Sequence, residues 1–171
     1  MNTVQTVQSM KNKSPRRSSI DPPEKHTIGI SKVTAHRYHD FSAGLRIYGH
    51  QGKSSRLHGH NYRIHFYCYA PSNNGNLVDF SDIKTYLCNW LEENWDHRFL
   101  VWDKDPWAAK LKAIDPEGLV ITQFNPTSEN IAQYLLDIIG PQQLLDSPLE
   151  LYKVIVQETV KCSAIAELRS F

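Results

Sequence analysis

The sequence predicts an α+β fold built around an antiparallel sheet. Two long strand-like segments come first, two amphipathic helical segments follow, and two further strand-like segments come last. Strands that alternate singly with helices would instead indicate a parallel sheet with crossover connections. The 171 residues are enough for one domain of ordinary size. We therefore expect a single α+β domain whose neighbouring strands run in opposite directions.

Composition and charge argue against several classes of partner. Lys and Arg number 19 and Asp and Glu number 18, so no net field favours nucleic acid or an anionic membrane. No apolar run approaches the roughly 20 residues that a membrane helix needs. Cys68, Cys88 and Cys162 form no CxxC pair, and no apolar signal segment precedes them. We expect a cytoplasmic protein that binds neither nucleic acid nor membrane.

The first 26 residues are rich in Ser, Lys, Arg, Gln and Pro and offer little apolar surface to bury. They predict a disordered polar tail in front of a domain of residues 27–171. The basic run from Lys11 to Arg17 fits a solvated tail, and the alternative is a nucleic-acid or targeting signal.

The first two predicted strands cover about residues 32–47 and 57–70. In the first strand, imperfect alternation places four apolar residues on one face: Phe41, Ala43, Leu45 and Ile47. In the second strand, alternation places six residues on one face: His58, His60, Tyr62, Ile64, Phe66 and Cys68. A polar loop at residues 49–55 joins the strands, and a turn at residues 71–76 follows the second.

Two amphipathic helices are predicted after these strands. Residues 79–95 carry apolar side chains at helical spacing, with Asp79 or Ser81 as the N-cap. The second helix begins with the capping sequence Thr127-Ser128-Glu129 and ends at Gly140-Pro141. Between the two we expect a short helix at 106–113 and a short strand at 119–124. Strands at 149–159 and 163–168 complete the prediction.

His58 and His60 stand two residues apart on a predicted strand, so both imidazoles project from one face, about 6.5 Å apart along the backbone. Two such histidines can share one metal ion, although a catalytic zinc site normally has three protein ligands. The alternative is a pair of partly buried histidines with hydrogen bonds on the sheet. Spacing alone leaves both interpretations open.

Three acidic positions have a functional and a structural explanation each. Asp96 directly precedes His97, and a carboxylate can orient an imidazole for acid–base work, but a histidine at a helix end also interacts with the dipole. Glu158 continues the apolar face of the strand at 149–159, where a carboxylate needs either a guanidine-like ligand edge or a salt bridge. Glu129 lies at a helix start, where capping alone explains it.

Seven short motifs occur together, and each is weak by itself. They are Asp40-Phe41-Ser42-Ala43-Gly44, Gly49-His50, Leu57-His58-Gly59-His60-Asn61-Tyr62, Val78-Asp79-Phe80, Asp96-His97, Asn125-Pro126-Thr127-Ser128-Glu129-Asn130 and Glu158-Thr159. In this order and spacing they resemble the 6-pyruvoyl-/6-carboxytetrahydropterin synthase family over residues 32–168. The resemblance implies a tunnelling fold (T-fold), with a four-stranded antiparallel sheet and two helices on one face. It also implies a homohexamer of two stacked trimers, with active sites between subunits.

The same resemblance assigns roles to individual residues. The implied pterin-binding residues are Glu158, Thr159, Thr127 and Glu129. The implied zinc ligands are His58 and His60, and the zinc would polarise oxygens of the substrate side chain. The implied proton relay is Asp96 with His97.

The substrate that the resemblance implies is 7,8-dihydroneopterin triphosphate. The short chain, the lack of a secretion signal and the helix start at residues 79–84 look more like the lyase branch that forms 6-carboxytetrahydropterin for queuosine biosynthesis. The branch that forms 6-pyruvoyltetrahydropterin is the alternative.

Two positions depart from the family pattern. Leu45 replaces the third zinc-binding histidine and has no ligating atom. Ser54 replaces the catalytic cysteine, and its hydroxyl is far less acidic than a thiol. Three hypotheses follow. The first is a synthase in which His50 or water completes the metal shell and Ser54 or His97 acts as the base. The second is an inactive pterin-binding paralogue. The third is a scaffold that contacts a partner through its tail.

Overall fold

The computed structural model describes residues 34–70 and 78–169. The tail predicted for residues 1–26, the first residues of the predicted domain and the turn predicted at 71–76 lie outside the described residues. In the part that is described, no helix is long and apolar enough to cross a membrane.

Six strands form one mixed sheet in the described part of the chain. They are β1 (Ala35–Leu45), β2 (His58–Tyr69), β3 (Arg98–Trp102), β4 (Leu119–Thr122), β5 (Glu150–Gln157) and β6 (Ser163–Glu167). Their order across the sheet is β4-β3-β1-β2-β5-β6. The pairs β1–β2, β2–β5 and β5–β6 are antiparallel, whereas β3 lies parallel to β1 and β4 parallel to β3.

The sheet is larger than the four antiparallel strands that the resemblance implied. The additional strands β3 and β4 have five and four residues, and β3 pairs with the end of β1 from Ala43 to Leu45. The ring of Phe99 covers Gly44 so closely that a Cβ there would lie 2.3 Å from it. A short apolar run such as β3 shows no alternation, so its sequence does not distinguish a strand from a buried helix.

The helices form three groups. They are α1 (Phe80–Ile83) and α2 (Asn89–Asn94) around a π-helical segment (Lys84–Cys88), then α3 (Ala108–Ile114), then α4 (Ser128–Tyr134) and α5 (Gly140–Gln143) around a second π-helical segment (Leu135–Ile139). Both predicted caps are confirmed, because the side chains of Asp79 and Thr127 accept hydrogen bonds from the backbone N–H groups of Ser81 and Asn130. The predicted end at Gly140-Pro141 is wrong. Pro141 takes one of the first two positions of α5, where a missing N–H costs least.

The helices around the two π-helical segments pack against one face of the sheet, which we call the inner face, whereas Ala108 of α3 packs in a separate cluster with Val101 and Leu119. The buried strand residues of the inner face include Phe41, Ala43, Leu45, Tyr62, Ile64, Phe66, Val154 and Val156. They share one core with helix residues that include Ile83, Leu87, Leu91, Ile131 and Leu135. The faces predicted for β1 and β2 are therefore confirmed, and His58 and His60 lie on the inner face with Tyr62.

The opposite, outer face carries a row of rings. His36 Nε2 and His65 Nδ1 are hydrogen-bonded at 2.8 Å, and their rings stack with centroids 5.1 Å apart. The ring of Tyr67 stacks on the other side of His36 at 4.5 Å. Burial and the neighbouring His65 lower the pKa of His36. Both effects favour the neutral form of His36.

His36→Phe should reduce the loss of stability that occurs as the pH becomes acid. Because the fold holds the pKa of His36 below its ordinary value of 6.5, the neutral ring contributes stability above that pH, and this contribution is lost as the pH falls through the lowered pKa. Phenylalanine can still stack on Tyr67 but cannot take up a proton. The melting temperature of the unmodified protein should fall more between about pH 7.5 and about pH 5.5 than that of the variant. Equal falls in the two proteins would contradict this assignment.

A buried ion pair ties the end of β1 to the segment before α3. Arg46 Nε lies 3.0 Å from Asp105 Oδ2, and the Asp105 side chain has no exposed area. The two atoms are not aligned for a hydrogen bond, so the attraction is that of an ion pair. Asp105 Oδ1 also accepts from Trp107 N at 2.8 Å, and the Arg46 guanidinium lies 3.9 Å over the Trp107 ring. These contacts hold the chain directly after Leu45.

Candidate active site

Three polar side chains meet at one end of the inner face, where β2 begins and β5 ends. The rings of His58 and His60 have centroids 5.1 Å apart and are perpendicular. Glu158 directly follows β5, and its Oε1 lies 3.3 Å from His60 Nε2. The side chains of His60 and Glu158 are only 24% and 26% exposed. We call His58, His60 and Glu158 the His–Glu cluster.

Strand alternation and a turn together place Glu158 in this cluster. Val154 and Val156 are fully buried, and Glu158 follows at the same interval of two, so it is directed to the same face. Its backbone N–H donates to the carbonyl of Cys162 at 3.1 Å, and Cys162 N donates to the hydroxyl oxygen of Thr159 at 3.1 Å. The turn between β5 and β6 therefore fixes the backbone of Glu158 and uses the Thr159 hydroxyl as an acceptor.

The residues present do not fit a three-ligand zinc site. Leu45, which is fully buried, stands directly opposite His58 in the β1–β2 register. His58 Nδ1 lies 2.7 Å from the carbonyl oxygen of Arg56; since a carbonyl only accepts, Nδ1 is the protonated nitrogen. No group of three or more His, Cys, Asp or Glu side chains among the described residues could hold a metal ion, so His50 does not complete the set. With His60, the site has one ligand fewer than catalytic zinc normally has.

Asp96 and His97 lie along the edge of β1. Asp96 Oδ1 accepts from Ser42 N at 2.9 Å, and His97 N donates to the Ser42 carbonyl at 2.7 Å. Asp96 Oδ2 lies 2.7 Å from His97 Nδ1. Burial of Asp96 works against its ionisation, but the hydrogen bonds from Ser42 and His97 outweigh it and lower the pKa of Asp96. An ionised Asp96 therefore fixes the ring of His97 with Nδ1–H towards the carboxylate.

His97 has the backbone and the exposure of a preorganised acid–base group. Its φ is 55°, the only positive φ at a non-glycine residue within the described ranges. Such a conformation costs on the order of 1–3 kcal/mol and is frequent at functional sites. The His97 side chain is 82% exposed, so Nε2 is open to a substrate or to a second subunit.

Two surface cavities meet at His97. One, of about 490 Å³, is also lined by Gly44, His60 and Phe99; the other, of about 550 Å³, is also lined by Asp40 and Thr159. Neither cavity is lined by Glu158 or His58. Both cavities nevertheless adjoin Glu158, since His60, which lies 3.3 Å from its carboxylate, lines the first and Thr159, its neighbour in the chain, lines the second.

Three of the predicted site residues have positions that local structure explains: Ser54, Thr127 and Glu129. Ser54 lies in a 3₁₀ turn (Lys53–Ser55), and its carbonyl accepts from Ile47 N at 2.8 Å. Thr127 caps α4, and Glu129 is exposed in the first turn of that helix, as capping alone would explain. Among the described residues, no hydrogen bond or ion pair links these three side chains to the His–Glu cluster. Their roles in catalysis or ligand binding stay predictions.

Two residues that the sequence did not single out belong to these sites. Ser42 contributes backbone groups to hold Asp96 and His97, and backbone contacts of this kind have no signature in the sequence. Tyr62 lies on the inner face beside His60, with ring centroids 5.7 Å apart. The predicted alternation had already placed Tyr62 on one face with His58 and His60, but without a functional role.

Known proteins show which family the chain belongs to. The sequence model described as 6-pyruvoyl tetrahydropterin synthase matches residues 34–169. The chain belongs to the 6-pyruvoyl tetrahydropterin synthase family. A 6-carboxy-5,6,7,8-tetrahydropterin synthase from Rickettsia typhi is 32% identical over 126 residues, which cover 72% of this chain and 91% of the relative.

Solved structures also match this fold. An uncharacterised protein from Wolinella succinogenes matches with a TM-score of 0.70 at 20% identity, covering 82% of this chain and 100% of that one. The 6-pyruvoyl tetrahydropterin synthase of Caenorhabditis elegans matches with a TM-score of 0.56 at 23% identity, covering 82% and 98%. The predicted α+β tunnelling fold is confirmed, with six strands in the described residues in place of four.

Proposed function

We propose that the protein binds 7,8-dihydroneopterin triphosphate in the manner of a 6-carboxy-5,6,7,8-tetrahydropterin synthase, with Glu158 as the anchor of the pterin ring. The observation that carries this proposal is the position of the Glu158 carboxylate, largely buried at the end of an apolar strand face. A carboxylate in that place needs partners for both oxygens, and His60 Nε2 approaches one of them, Oε1, at 3.3 Å. The N–H edge of a pterin has two donors that match two carboxylate oxygens. The name of the Rickettsia typhi relative supports the 6-carboxy branch. The resemblance links that branch to queuosine biosynthesis.

The active centre in this proposal is degenerate. Leu45 removes a zinc ligand, and Ser54 stands in place of the cysteine base. General base catalysis typically contributes about 10²–10⁴ in rate, so loss of the thiolate alone would slow the lyase reaction severely. The buried leucine opposite His58 favours a second candidate function, an inactive pterin-binding paralogue.

In this proposal, Glu158 binds the ligand, and Asp96 and His97 transfer protons. Glu158 accepts the N–H groups of the pterin. Asp96 holds Nδ1–H of His97, so Nε2 can accept a proton from the substrate side chain and return it. We propose that a pterin held by Glu158 meets this imidazole at a subunit interface, as the homohexamer that the resemblance implies would allow.

Glu158→Gln should weaken the binding of 7,8-dihydroneopterin triphosphate by about tenfold to a hundredfold. The amide keeps the shape of the side chain but loses the charge and one acceptor, and hydrogen bonds to charged groups are worth about 1.5–3 kcal/mol. Titration calorimetry measures the two affinities. Glu167→Gln, on the exposed edge strand β6, is the matched control and should bind as the unmodified chain does. Unchanged affinity in Glu158→Gln would contradict the proposal and favour a scaffold.

A further inference from the structure

Tyr62 combines deep burial with an unpaired hydroxyl group. The residue is 1% exposed, and among the described residues its hydroxyl has no hydrogen-bond partner. An unpaired buried hydroxyl lowers stability, since it loses its hydrogen bonds to water without replacement. If the position served only to pack the core, phenylalanine would be the more stable choice. We therefore expect the hydroxyl group to gain a hydrogen-bond partner when a ligand binds.

The surroundings of Tyr62 identify that partner. Its ring stacks on Phe41, the residue opposite it in β1, with centroids 5.4 Å apart, and it contacts His60 edge-on. The ring is therefore held in one place. Burial and the charge of Glu158 both raise the pKa of Tyr62, so the hydroxyl stays protonated as a donor and lies within electrostatic reach of the carboxylate.

We infer that Tyr62 is a positioning residue whose hydroxyl donates a hydrogen bond to Glu158 in the ligand-bound state. In the structure, Glu158 Oε1 lies next to His60 Nε2 at 3.3 Å. A ligand that bonds to both carboxylate oxygens competes with His60 for Oε1. Each carboxylate oxygen can accept two hydrogen bonds, so Tyr62 can hold the carboxylate while the ligand edge occupies it. This inference rests on the proposed binding of a pterin to Glu158.

A consequence is that stability and affinity should respond to Tyr62→Phe in opposite directions. Removal of an unpaired buried hydroxyl should leave the melting temperature of the free protein unchanged or raise it. The affinity for the pterin should fall about tenfold, because one hydrogen bond to a charged acceptor is lost. A residue that merely packs the core cannot lower the affinity while it keeps or raises the stability.

The test compares the unmodified protein, Tyr62→Phe, and Tyr38→Phe as the matched control. Tyr38 lies on the outer face, is 50% exposed, and loses the same hydroxyl in the same way. For each protein we would measure the melting temperature without ligand. Calorimetric titration would then give the affinity for 7,8-dihydroneopterin triphosphate. A tenfold loss of affinity confined to Tyr62→Phe, at equal or higher melting temperature, is expected.

Other results would overturn the inference in distinguishable ways. Equal affinities of the unmodified protein and Tyr62→Phe would reject the role of Tyr62 and leave the proposed function standing. Joint falls of affinity and melting temperature in Tyr62→Phe would show a structural role instead. Absence of pterin binding by the unmodified protein would overturn the proposed function and this inference together.

Discussion

Leu45→His combined with Ser54→Cys should produce a protein that binds zinc with submicromolar affinity, and the unmodified chain should not reach that affinity. Leu45 stands opposite His58 across β1 and β2, and the Cβ atoms of opposite residues lie about 4.5–5.5 Å apart. A histidine there would join His58 and His60 on one face and complete the three protein ligands that catalytic zinc uses. The change is expected to convert an incomplete site into a complete one.

Competition with a chromophoric zinc chelator measures this affinity on the metal-free proteins. Leu45→Gln combined with Ser54→Cys is the matched control, since it carries the same loss of apolar burial without adding an imidazole. Melting curves should accompany the titrations, because Leu45 is fully buried and its replacement lowers stability. Submicromolar zinc binding by the unmodified chain would contradict the proposed loss of the metal site.

The same double variant should also recover turnover of 7,8-dihydroneopterin triphosphate, by about 10²–10⁴ over the unmodified chain, because the thiolate base is restored. Mass spectrometry of the products separates the 6-carboxy from the 6-pyruvoyl branch. Turnover by the unmodified chain at the rate of the variant would show that the centre is not degenerate.

Asp105→Ala should lower the free energy of unfolding by about 3–5 kcal/mol, since it leaves the buried guanidinium of Arg46 without its ionic partner. Denaturation by urea measures this loss. Asp40→Ala is the matched control, because the Asp40–Arg63 pair is 54% and 41% exposed and should contribute about 1 kcal/mol or less.

Arg46→Met combined with Asp105→Leu provides a second comparison. If the cost in Asp105→Ala comes from an uncompensated charge, removal of both charges should destabilise the fold much less than removal of one. A loss in the double variant as large as in Asp105→Ala would assign the effect to packing instead.

The faces of β1 and β2 could be predicted because the alternation of side chains is a local property of the extended chain. Phe41 and Leu45 are buried for the same reason that His58 and His60 share a face with Tyr62. The caps at Asp79 and Thr127 were equally local, since each side chain bonds to the backbone within three residues. Strand β3 was missed because it forms by pairing with the distant end of β1.

Some features of the site likewise follow from the local sequence, and others follow only from the tertiary structure. The sequence by itself determined the family motifs, the shared face of His58 and His60, and the absence of a ligating atom at Leu45, because residue type and strand period decide them. Only the tertiary structure decided that Glu158 lies 3.3 Å from His60 and that Asp96 and His97 are held at Ser42. These contacts join segments that are remote in the chain, so they arise from the order of strands in the sheet.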